Sequence, residues 1–251
     1  MTIRGWCFCC LAFVAAMGPM RADEPPPVPA SRTVGSVYGQ DITAADVGLK
    51  EPIDISVKFD ARDTARWQQM GRIMAKFGNP VMERFLKEHR VEAAAEEIAT
   101  FKKTMRAATA KSLREWEARI AELDKQLAAP NLSEEDKAKY EKERAQLQRL
   151  AKSMRETNES ETPDELARSF IVAWKTEREL HRAYGGRVIF QQAGPEALDA
   201  RRRLFEAAEK QGDLKFTDPG VRHLFYYYAN MRHVFIDAKA LEQPWFLGGM
   251  P

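Results

Sequence analysis

Leu113, Trp116, Ile120, Leu123 and Leu127 recur at spacings of 3, 4, 3 and 4. A segment with that rhythm is committed to a helix whose apolar seam a second helix must cover. Ala129-Pro130-Asn131 stops it. Ser133, with Asp136 three residues on, then opens a return helix to about Glu156. The return helix has a thinner apolar face, read as Ala138, Leu147, Leu150, Ala151 and Met154. Two helices joined by so short a turn pair antiparallel. The stretch from Ser112 to Leu127 alone spans about 24 Å at 1.5 Å per residue. Residues 111–156 carry 11 basic and 10 acidic side chains, a mixed charge suited to solvated outer faces. Residues 111–157 are therefore expected to project as an antiparallel hairpin.

The flanks read as further helices. Asp60 is placed to cap a helix carrying Trp67, Met70, Met74 and Phe77 on one face. Gly78-Asn79-Pro80 breaks that helix, and Pro80 opens another with Val81, Phe85 and Leu86 turned inward. Thr162-Pro163-Asp164-Glu165 starts a helix through Leu166, Phe170, Trp174, Leu180 and Tyr184, closed by Gly185-Gly186. Pro195 starts one closed by Gly212, and Asp218-Pro219 starts the last, with Leu224, Phe225, Tyr228 and Phe235. Two β-prone runs remain, Val34–Tyr38 and Arg187–Gln191. Neither can satisfy its backbone alone, so the two are expected to pair and bring both halves of the chain into one core. Thr43 is read as capping a short helix over 44–49.

Residues 1–22 have the pattern of a secretory signal peptide: Arg4, then the apolar run Trp6–Met17, then Met20-Arg21-Ala22. The run is too short to span a bilayer, which takes roughly 20 residues. All three cysteines, Cys7, Cys9 and Cys10, fall inside it, so the processed chain is expected to hold no disulfide and no Cys-based site. Without residues 1–22 the basic and acidic side chains balance at 37 each, which argues against nucleic acid as a partner. Residues 23–31, rich in proline, read as an extended linker. The resulting division is a signal peptide (1–22), a linker (23–31), the N-terminal part of a helical core (32–110), the hairpin (111–157) and the C-terminal part of the core (158–251). The expected location is the periplasm, with secretion as the alternative for an exported chain, and no stable membrane insertion.

The stretch Val34-Gly35-Ser36-Val37-Tyr38-Gly39-Gln40-Asp41-Ile42-Thr43-Ala44-Ala45-Asp46-Val47 resembles the start of the SurA-type chaperone module. That module opens with a strand, a tight turn at a Gly and an Ile-Thr pair leading into a short helix. Phe85–His89 and Ala95-Glu96-Glu97-Ile98 resemble its passage between two helices. The likeness covers roughly residues 33–105, with a looser echo at 164–192. It implies a periplasmic chaperone that binds extended apolar segments of unfolded envelope proteins. Many members also carry a parvulin-type prolyl isomerase domain. Its opening His-Ile-Leu strand is missing here, so no catalytic residue is carried over. The expected fold is mainly α: a helical, chaperone-like body with a short two-stranded β pairing between its N-terminal and C-terminal halves, and the projecting hairpin.

Enzyme motifs are sparse. His89, His181, His223 and His233 form no HExxH or other tight ligand spacing, and there is no G-x-S-x-G, P-loop or G-x-G-x-x-G. No catalytic residue, metal or cofactor is expected. Aromatics are denser, with 10 of 24 lying beyond residue 189. Tyr226, Tyr227 and Tyr228 cannot all face one core, because neighbours on a helix point about 100° apart. Large amphipathic rings and adaptable methionines suit sequence-tolerant contact. The contact candidates are Trp67, Met70, Met74, Tyr226, Tyr227 and Trp245, and the expected partners are unfolded or envelope polypeptides. Two other readings stay open. One is a prolyl isomerase with a degenerate domain after Gly186. The other is an envelope scaffold acting through the hairpin.

Overall fold

The computed structural model describes residues 27–56, 63–159, 162–191 and 194–248. The signal-peptide reading and the proposed Asp60 cap lie outside the described residues.

The chain enters with residues 27–31, expected to be linker. One residue of the segment is packed down: Val28 is buried and its N–H donates to the Lys50 carbonyl at 2.8 Å, while its neighbours are exposed. An apolar side chain with a core socket overrides the extended habit of its proline neighbours. Next come β1 (Thr33–Val37) and β2 (Gln40–Thr43), antiparallel and joined at Tyr38-Gly39, which both have positive φ. That two-residue turn matches the right-handed twist of the strands. The helix expected over 44–49 is only a series of turns. Thr43 and Asp46 do bond reciprocally there, the Thr43 N–H donating to Asp46 Oδ2 at 2.9 Å and the Asp46 N–H to Thr43 Oγ1 at 3.3 Å.

Helix α1 (Thr64–Ile73) is capped by Asp63, whose carboxylate accepts from the Arg66 N–H at 3.1 Å. The expected break at Gly78-Asn79-Pro80 is absent. A π-helical segment, Met74–Gly78, leads straight into α2 (Asn79–Glu88). The wider turn, with the Asn79 N–H reaching the Met74 carbonyl, admits Pro80, which has no N–H to give.

Helix α3 (Ala95–Leu127) and α4 (Glu134–Glu159) form the antiparallel hairpin. Leu113 and Leu123 are buried, while Trp116, Ile120 and Leu127 are half-buried. The return face differs from the expected one. Leu150 is 43% exposed and Ala138 is exposed, whereas Tyr140, Leu147, Ala151 and Met154 turn inward. Arg119–Glu143, Arg144–Asp124 and Arg155–Glu117 bridge the two helices at 2.8, 2.8 and 2.5 Å. The thin apolar face is thus flanked by cross-helix ion pairs, each a small contribution in solvent.

Helix α5 (Asp164–Tyr184) ends at Gly185, as the sequence predicts, but leaves Leu166 48% exposed. Then come β3 (Val188–Gln191), β4 (Gly194–Glu196), α6 (Leu198–Gln211), β5 (Leu214–Phe216), α7 (Pro219–Asn230) and β6 (Phe235–Ile236). A 3₁₀ turn at Ala238–Leu241 and the four-residue α8 (Trp245–Gly248) follow.

The strand expectation needs correcting. The runs at 34–38 and 187–191 do not pair with each other. One sheet has the order β2-β1-β5 and the other β4-β3-β6, both antiparallel. The halves of the chain are still joined, but through β1 and β5, with Gly35 opposite Phe216 and Val37 opposite Leu214. Arg32 adds to the join by donating to Asp218 at 2.6 Å; Asp218 also caps α7 by accepting from the Val221 N–H. The main core draws on both halves: Val34, Val47, Ile73 and Phe77 from one, Leu180, Leu204, Leu214 and Phe225 from the other.

The start of β3 is fixed by one carboxylate. Asp199 accepts from the Arg187 N–H at 2.9 Å and from its guanidinium at 2.7 and 3.0 Å. These bonds outweigh burial and hold Asp199 below the usual carboxylate range. A depressed folded pKa contributes stability that is complete above the unfolded value, about 3.9, and lost as pH falls through the folded one. Asp199→Asn is expected to cost about 1 kcal/mol at neutral pH, discounted because Arg187 is mostly exposed. Thermal melts across pH should show that deficit closing as pH falls below the unfolded value, about 3.9. A deficit unchanged with pH would remove Asp199 as its source.

Candidate functional site

The six contact candidates do not converge on one surface. Met74 packs against the main core, with Trp67 and Met70 half-buried before it on α1. Tyr226 is a core residue, 6% exposed, its hydroxyl donating to Glu209 at 2.8 Å. Burial first, and then the Glu209 carboxylate, push that phenol far above its ordinary range. Tyr227 is half-buried with its ring 5.8 Å from His223. Tyr228 donates to Glu196 at 3.2 Å and is pushed up to about 12 by burial and that carboxylate. Partial exposure therefore belongs to Tyr227 and Tyr228, while Tyr226 is spent on the interior. The groove beside α1, about 570 Å³, is rimmed by Lys50, Glu51, Asp54, Asp63, Arg66 and Arg72. It is polar, and the Trp67-Met70-Met74 stripe does not line it.

Trp245 belongs to a second, separate apolar cluster. Ile98 and Phe101 at the root of α3 meet Ala167 and Ile171 of α5, with Phe170 and Phe246 packed against them. The Phe246 ring stands edge-on to Phe101 at 4.9 Å between centroids and to Trp174 at 6.5 Å. Trp245 meets Phe170 edge-on at 5.8 Å. Edge-to-face contacts at such distances add about 1 kcal/mol each beyond the area buried. Trp174 is oriented by two further contacts. Its indole N–H donates to the Leu241 carbonyl at 3.0 Å, and the Arg178 guanidinium lies over its ring at 4.5 Å.

This cluster is left open on one side. A groove of about 280 Å³ runs between α3 and α5, lined by Ile171, Trp174, Pro244 and Phe246 with Glu96, Glu97 and Thr100 at its edge. Lys175 reaches Glu97 at 2.7 Å and the Glu92 carbonyl at 2.7 Å. Burial raises the Glu97 carboxyl, but Lys175 and the Ala94 N–H outweigh it, so Glu97 stays ionised below its usual range. The groove thus has an aromatic and aliphatic floor and an acidic edge. That arrangement can hold an apolar side chain and does not assemble a nucleophile with a base. Ile171, Trp174, Pro244 and Phe246 were not singled out as contacts. In the sequence Trp174 reads as an ordinary core position one turn beyond Phe170, and nothing local shows that a groove opens beside it between α3 and α5.

The best-connected charges lie elsewhere and are paired with one another, although the buried Arg201 Nε has no hydrogen-bond partner among the described residues. Glu177 on α5 accepts from the Ala197 N–H at 2.9 Å and from Arg201 of α6. Arg201 also meets Glu196 at 2.9 Å, and Glu196 accepts from Tyr228. The cluster ties α5, β4, α6 and α7 together. The histidines scatter: His89 stacks on Phe85 at 4.1 Å, His181 sits 3.1 Å from the Gly186 carbonyl, and His233 sits 2.7 Å from the Tyr228 carbonyl. Among the described residues, no three His, Cys, Asp or Glu side chains converge on a point, and no helix is long and apolar enough to cross a membrane. Comparison with known protein families, with curated proteins and with solved structures finds no match to this chain.

Proposed function

We propose that this protein is an exported, chaperone-like polypeptide binder that holds apolar segments of unfolded envelope proteins without covalent chemistry. The aromatic groove between α3 and α5 carries the reading: buried Ile171 and Trp174 form its floor, and half-buried Pro244 and Phe246 flank an opening of about 280 Å³. The resemblance of residues 34–47 to the SurA-type module supports it, as does the signal-like opening segment. Binding is driven by apolar area at roughly 25 cal/mol per Å², less the cost of association, so affinity is modest and release easy.

Thr100 is exposed at the edge of the groove, which makes it the place to test this. A urea-unfolded β-barrel envelope protein diluted into buffer is expected to stay soluble in the presence of the protein. Thr100→Trp, which fills the groove from its edge, is expected to weaken that protection about tenfold, or about 1.4 kcal/mol, with an unchanged melting temperature. Equal protection by the variant, or none by either protein, would overturn the reading. Acceleration of proline-limited refolding would favour the isomerase instead.

A further inference from the structure

The groove is partly occupied already, by this chain. Beyond the 3₁₀ turn the backbone is anchored at Leu241, which is 2% exposed and accepts from the Trp174 indole. Glu242 and Gln243 are exposed, and Pro244-Trp245-Phe246 then lies down against α3 and α5. The contacts described above for Trp245 and Phe246 there are ring against ring. On its other side Trp245 rests on Gly194. A methyl group at that glycine would fall 2.2 Å from the indole nitrogen and 2.5 Å from its neighbouring carbon, so only glycine leaves the indole room.

We propose that Pro244–Phe246 is a resident occupant of the groove, displaced when an apolar segment of another polypeptide binds there. Resting on the polypeptide-binding reading, this names the partner more closely. The segment inserts a large apolar side chain where Phe246 now sits and carries a lysine or arginine beside it. Size follows from the resident, whose ring fits between Phe101 and Trp174. Charge follows from the edge, where Glu97 is already held by Lys175 and the Ala94 N–H, which leaves the exposed Glu96 beside it to meet a cation. The short α8 is a suitable plug because a helix of so few residues has no stability of its own and depends on what it rests on.

A plug and a wall respond oppositely to truncation. The test measures binding of a fluorescein-labelled peptide with a central Leu-Phe pair flanked by lysines, and of its glutamate-flanked twin. The double variant Trp245→Ala/Phe246→Ala is expected to bind the lysine-flanked peptide about tenfold more tightly than the full chain and to prefer it over the twin. Gly194→Ala, which crowds the Trp245 indole and also strains a backbone held at φ +108° at the start of β4, is expected to shift binding the same way; it serves if the double variant fails to fold. A peptide of sequence Gln243–Leu247, added in trans, is expected to compete with the probe. Unchanged or weaker binding by both variants, while the full chain binds, overturns the plug and leaves the polypeptide-binding reading standing. No binding by any of the proteins overturns both. Equal affinity for the two peptides removes the acidic edge from the proposal.

Discussion

Gly35→Ala is expected to cost about 3 kcal/mol and to lower the melting temperature by roughly 10 °C. The position is unremarkable in the sequence, one glycine in a β-prone run. In the fold it sits where β1 crosses both β5 and the centre of the core. A Cβ there would lie 2.2 Å from the Lys215 carbonyl oxygen and 2.7 Å from the Phe77 ring. The carbonyl is backbone and belongs to the ladder joining the two halves of the chain, so it cannot move without loosening that ladder. Phe77 is fully buried, 4.7 Å from Phe216 and 6.4 Å edge-on from Phe225, and has no space to yield. Gly71→Ala is the matched control. That glycine is exposed in the interior of α1 with no atom within 4 Å of the added methyl, so the change should stabilise by up to about 1 kcal/mol. Urea titrations of the pair measure both signs. A mild effect at Gly35 would mean that β1 and β5 are not held as closely as the geometry has them.

Glu177→Ala is the second large effect, expected to cost about 3 kcal/mol at neutral pH. Glu177 is 8% exposed, and loss of its carboxylate strands the Ala197 N–H and one side of the Arg201 guanidinium. Removing one partner of a buried pair typically costs 3–5 kcal/mol. The lower end applies because Arg201 keeps Glu196 and its side chain is 32% exposed. Glu177→Gln retains the shape and an acceptor and should cost less. Burial raises the Glu177 carboxyl above its ordinary range despite the opposing pull of Arg201. A raised folded pKa means that the folded state holds the proton more tightly. Its stabilising share is complete below the unfolded value, about 4.3, and declines as pH rises through the folded one. The wild-type protein should therefore lose ground to Glu177→Gln as pH rises from about 4. A wild-type advantage that grows with pH would show instead that the Arg201 pairing outweighs burial.

Helices of three turns or more were legible because each repeats its apolar period several times and carries its own punctuation. The hairpin followed from the spacing of Leu113 to Leu127 and the Pro130 stop. The ends of α5 and α6 followed from Gly185 and Gly212, and the start of α7 from Asp218. Strands β2, β4, β5 and β6 are two to four residues long, too short for a twofold alternation to stand out from its surroundings. The pairing of β1 with β5 was out of reach for the same reason, since β5 does not announce itself. The π segment was hidden because Gly-Asn-Pro reads as a stop wherever the helix can instead widen by one residue per turn.

The groove was legible only in its ingredients. Phe170, Trp174 and the Pro-Trp-Phe run were visible as apolar residues. The candidate set took only Trp245 from this cluster, joined it to residues on and around the main core, and placed Tyr226 outside when it is inside. Local periodicity sets which side of a helix is apolar, since backbone geometry alone turns residues three and four apart to a common face. It carries no record of how far the neighbouring helix extends. Which part of an apolar face stays uncovered, which glycine must remain bare beneath an indole, and which of two β runs finds a partner are decided by contacts between residues far apart in the chain, where volume and backbone donors must be satisfied together.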